Sequence, residues 1–109
     1  MRPDLADGDG DPGVEELRRY FAGRLPDRLA EVEEACAAAR EADWAAEPLR
    51  RFHRLVHSLV GVGATFGFPA VTEHARTLER LLKARVEGGP PPPEGEIGDL
   101  LEMLRAAAQ

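Results

Sequence analysis

Apolar residues recur at three- and four-residue intervals along most of the chain, the spacing that gathers them on one face of an α-helix. The first stripe begins at Val14 and passes through Leu17, Tyr20, Phe21 and Leu25. Pro26 falls in its path. Proline lacks an amide donor, so a kink or a fresh helix is expected there, with the preceding segment forming a short additional N-terminal helix. Leu29, Val32, Cys36 and Ala39 continue the stripe, and "EADWAAEP" closes it. The pattern then predicts a helix from about Pro48 to Thr65 and another from about Pro69 to Val86. The second of these buries Val71, Ala75, Leu78, Leu82 and Leu81, and a last helix carries Ile97, Leu100, Leu101 and Leu104. Phe66 to Pro69 reads as a turn, because glycine permits a positive φ at a helix end and proline suits the first turn of the next helix. "EGGPPPPEGE" reads as a stiff, extended linker. No alternating strand pattern and no internal repeat is present. Amphipathic helices with short connections predict an all-α, antiparallel four-helix bundle over residues 13–109. Residues 1–12, rich in Gly, Pro and Asp and without periodicity, predict a disordered tail.

Composition changes this picture at a few points. Aromatic residues are only 6%, so the core must come from Leu, Val and Ala, a mixture that favours helices over strands. A single cysteine, Cys36, rules out an intrachain disulfide or a cysteine-based zinc cluster and suits a reducing compartment. The chain has no signal-peptide-like apolar run and no apolar segment near the ~18 residues that a membrane span needs. A cytoplasmic protein without membrane contact is expected. The net charge of -6 argues against nucleic-acid binding. Its distribution is more informative: of 20 acidic residues none lies between Pro48 and Thr72, a window that holds Arg50, Arg51 and Arg54.

That locally basic window contains "HRLVHSLVGVGATFG", residues 53 to 67. With His57 at zero and about 100° per residue, Leu55, Phe66 and Leu59 fall near 160°, 180° and 200°. Phe52, Val56, Val62 and Gly63 flank them, so this is the expected core face, and His57 points directly away from it. Arg50, His53, Arg54, Val60, Gly61 and Ala64 lie within about 60° of His57 on the outward side. Solvated helix faces usually mix Glu and Lys, yet this one has no acid. An interior helical glycine costs about 1 kcal/mol relative to alanine. Gly61 is therefore explained either by tolerance near a helix end or by a partner that must approach His57 closely.

An outward histidine followed by Leu two residues on and Gly four on resembles the histidine-containing phosphotransfer (HPt) domain. The matching residues are His57, Leu59 and Gly61, then Gly63, Ala64, Phe66 and Gly67, then Val71, Ala75, Leu78 and Glu79. The resemblance spans nearly the whole folded chain, with its specificity in residues 52–79. It implies a four-helix bundle with an extra N-terminal helix, in which His57 accepts a phosphoryl group from an aspartyl phosphate or a kinase and passes it to another aspartate. The implied partners are a response-regulator receiver domain and a histidine kinase, hybrid or otherwise, and the implied form is a monomer. It implies no cofactor on this chain, since the magnesium belongs to the partner's receiver domain, and no autonomous kinase activity. No Gly-rich loop followed by Lys-Ser/Thr is present for a nucleotide.

The chemistry agrees. An unperturbed imidazole, with a pKa of about 6.5, is largely neutral and nucleophilic at pH 7. Small neighbours let a protein partner close over it, and nearby arginines offset phosphoryl charge. One residue departs from the family: Val60 stands where a lysine usually contacts the phosphoryl group, leaving Arg54 or His53 on the same face to substitute. The alternative is a non-phosphorylated module that docks on a receiver or kinase and inhibits it. His53 and His57 at i, i+4 could chelate a metal, but no acid flanks them and no third ligand is evident, so no metal site is expected. His74, Cys36, Trp44 and Tyr20 read as packing residues, and Glu79 as a helix-surface or structural residue.

Overall fold

The computed structural model describes residues 12–108, which fold into four helices with no strand among them. They are α1 (Pro12–Glu41), α2 (Ala46–Phe66), α3 (Pro69–Val86) and α4 (Glu94–Ala107). Each packs on the next in sequence and α4 returns to α1, closing a four-helix bundle. The core is aliphatic at its centre. Leu25 and Val32 of α1, Phe52, Val56 and Leu59 of α2, Leu78 and Leu82 of α3, and Ile97 and Leu104 of α4 are all buried in it. Cys36 lies in this core, where burial pushes its thiol pKa up while Arg40 opposes the shift.

The helix boundary expected at Pro26 does not form. The segment expected as a separate short helix is the first half of α1, which runs unbroken through the proline. Pro26 leaves the Ala22 carbonyl without its usual amide donor. However, its ring is exposed, while Leu25 and Leu29 on either side are buried against the same core. Tertiary packing thus holds together what the local penalty would separate. The disordered tail expected over residues 1–12 lies outside the described residues, apart from Pro12, which opens α1.

At 30 residues α1 spans about 45 Å, against about 32 Å for the 21 residues of α2. The molecule is correspondingly elongated, 56 × 25 × 19 Å. Val14 and Leu17 lie beyond the end of α2 and stay exposed, and so does Tyr20, on a face of α1 turned from the bundle. Tyr20, expected as a packing residue, meets only the edge of Phe21 and is 58% exposed. Trp44 does pack. Asp43 and Trp44 both adopt positive φ, 56° and 61°, and this tight reversal turns the indole inward to stack near Phe52.

The α2–α3 turn is built as the sequence predicts. Gly67 sits at φ 78°, and the Phe68 amide donates to the Gly63 carbonyl at 2.8 Å, a Schellman-type ending. Pro69 then opens α3. The extended linker is shorter than expected. It ends at Pro93, and Glu94 and Glu96 fall in the first turn of α4, where carboxylates favour the helix dipole.

Candidate functional site

The α2 residues that are buried are Leu49, Phe52, Val56, Leu59 and Gly63. In the frame with His57 at zero they centre near 240°, about 60° from the expected core face. The reason is that α2 packs between two helices. Leu55, Val62 and Phe66 lie toward α1 and are only half-buried, with Phe66 stacked on Phe21 at 4.3 Å. The seam with α3 lies on the other side. There Gly63 has no side chain to register as hydrophobic, yet it is the closest approach. A Cβ on Gly63 would overlap Thr72 Oγ1 and press to 3.1 Å from Thr72 N and 3.3 Å from the Phe68 carbonyl.

This rotation relocates the outward residues. His57 remains exposed, 72% for its side chain, but leans toward α3 instead of pointing directly away from the core. Arg50, Arg54, Gly61 and Ala64 are exposed as expected. His53 and Val60 are not on the open face. Both are half-buried on the α3 side, and Val60 packs against the core. The Nε2 of His53 is buried with no hydrogen-bond partner. Nothing lies within 4 Å of a Cβ built on Gly61, so its outer side is open space.

The contact that completes the site comes from α3. Nδ1 of His57 is hydrogen-bonded to the Glu79 carboxylate. A carboxylate only accepts, so Nδ1 carries a proton, and in the neutral ring this leaves the lone pair on Nε2. Glu79 is largely buried, 20% exposed, and the bond fixes both the ring's tautomer and its orientation. The sequence reading assigned Glu79 a surface or structural role and missed this contact. The available signal was its place among the residues that carry the family resemblance, in the helix following an acid-free window. His53, Arg54, His57, Ser58, Glu79 and Lys83 line one shallow depression. A larger groove continues along the α2–α3 seam toward Gly67, lined by Ala64, Thr72, Arg76 and Arg80 among others. Among the described residues no group of three His, Cys, Asp or Glu could hold a metal ion, and no helix is long and apolar enough to cross a membrane.

A bundle presenting one exposed, carboxylate-oriented imidazole beside small residues is the arrangement of a phosphotransfer module. The family model for the Hpt domain matches residues 16–109, and the chain belongs to that family, whose members serve as phosphotransfer modules of two-component systems. No curated protein and no solved structure matches the chain.

Proposed function

We propose that this chain is a phosphoryl carrier that takes a phosphoryl group onto Nε2 of His57 from the aspartyl phosphate of a receiver domain, and returns it to such an aspartate. The observation that carries the reading is the His57–Glu79 bond on an exposed ring. The Nε2 lone pair attacks phosphorus, the N–P bond forms, and the P–O bond to the donor aspartate breaks with its electron pair leaving on the carboxylate. Nδ1 keeps its proton throughout. The phosphorylated ring is then cationic, and Glu79 faces that charge directly. Reversal returns the group. Gly61 and Ala64 leave room for the partner to close over Nε2. The magnesium that assists the transfer sits on the receiver, and the chain acts without a cofactor of its own.

A second reading rests on Val60. With no cation at that position, the chain would dock on a receiver or kinase without accepting phosphate. Incubation with a phosphorylated receiver separates the two. The carrier acquires an acid-labile, base-stable phosphate, lost in His57→Gln and retained in His53→Gln. A folded chain that binds the receiver but never becomes labelled is a docking module instead.

A further inference from the structure

We infer that Lys83 of α3 is a cation that meets the phosphoryl group on His57, supplying the charge that Val60 lacks. The inference rests on the carrier reading above. α2 and α3 run antiparallel, and Glu79 stands beside His57. His53 and Lys83 are each one turn further along the same seam, and both line the depression around His57. One helical turn is about 5.4 Å, a distance that the four-carbon arm of a lysine spans. Lys83 is also free to move. Its ion pair with Glu87 is long, 4.0 Å, and both side chains are 64% exposed, the kind of pair that holds a side chain weakly.

The charge arrangement requires such a group. A phosphoryl group brings a charge of about -1.5 to -2. On Nε2 it stands across the ring from the Glu79 carboxylate, so two negative groups flank one imidazole. Arg54 lines the same depression from the α2 side of His57. Val60 is half-buried against the core and offers no charge. Lys83 is the α3 cation of the depression, and its arm is long enough to reach past Glu79 to the phosphoryl oxygens.

The test uses the full chain with Lys83→Gln and Lys83→Arg, phosphorylated both by phosphoramidate and by a phosphorylated receiver. Phosphoramidate needs no docking surface and so isolates the contact with the phosphoryl group. Lys83→Gln is expected to slow phosphorylation by both donors by about five- to tenfold. It should also shift the ³¹P resonance of the phosphohistidine. Lys83→Arg should stay within about twofold of the parent, because it keeps the charge. Unchanged rates and an unchanged resonance in Lys83→Gln overturn the inference. So does a loss confined to the receiver, which makes Lys83 a docking residue. A parent chain that accepts phosphate from neither donor overturns the carrier reading itself.

Discussion

Glu79 and Gly61 act on the same imidazole from different sides, one by holding it and the other by leaving space. The carboxylate removes the choice of tautomer, so the ring does not have to find its reactive form during an encounter. Glu79→Gln keeps the size and can still hydrogen-bond, but it loses the charge that faces the phosphorylated ring. Phosphoryl acceptance by His57 should fall about tenfold or more, roughly 1.4 kcal/mol in barrier, with helicity unchanged. Rapid-quench labelling from a phosphorylated receiver measures it, and parent-like rates would show that Glu79 only fills space. His57 was legible in the sequence because an outward histidine in an acid-free window is conspicuous. Glu79 and Lys83 were not, since a charged residue on an amphipathic helix is ordinarily solvated, and only the registry of α3 against α2 makes these two part of the site.

The registry of that helix pair depends on Gly63, and the two neighbouring glycines separate its cause from that of Gly61. Gly61→Ala meets open space and should raise stability by about 0.5 to 1 kcal/mol, the interior helical preference for alanine. Gly63→Ala drives a methyl into Thr72 and should cost about 1 to 3 kcal/mol, part of it recovered by adding Thr72→Ala. Urea unfolding of the three variants checks both signs, and a destabilised Gly61→Ala would mean that the face assigned as open is covered. Element types and most boundaries followed from periodicity and turn chemistry, as at Gly67 and Pro69. The errors share a physical origin. Pro26 was judged by its local cost, although Leu25 and Leu29 pack on both sides of it. The face of α2 was set by side-chain hydrophobicity, which cannot weigh a buried glycine. The exposure of Tyr20 depends on which face of α1 meets α2, since its neighbour Phe21 is the ring that stacks on Phe66.

Across the whole molecule, net charge and site charge have opposite signs. The chain carries -6, yet the surface around the α2–α3 seam presents Arg50, Arg54, Arg76, Arg80 and Lys83, all exposed. On the carrier reading, an acidic receiver pocket would be drawn to this side of the molecule and repelled by others, so the field would orient the encounter as well as attract it. The second-order rate of phosphotransfer from a receiver should therefore fall as salt rises from about 0.02 to 0.3 M, while phosphorylation by phosphoramidate changes far less. Stopped-flow measurement against ionic strength reads this, and a receiver rate that is flat or rises with salt would remove the steering argument.

Arg18 carries a consequence of another kind. Its guanidinium donates to the Phe66 carbonyl at 3.0 Å and to the Gly67 carbonyl at 3.4 Å, and lies over the Phe68 ring. A residue of α1 thus caps the C-terminal end of α2 across 48 positions of sequence. That end is closed by its own neighbours through the Phe68 amide and tied a second time, to α1, by Arg18, so fraying it also gives up contacts with α1. Lifting the first half of α1 removes that second tie and parts Phe21 from Phe66 in the same step. The end of α2 beside Ala64, within about two turns of Gly61, is thus held in part by α1. Whatever grips or displaces the N-terminal half of α1 acquires a mechanical handle on the surface beside His57.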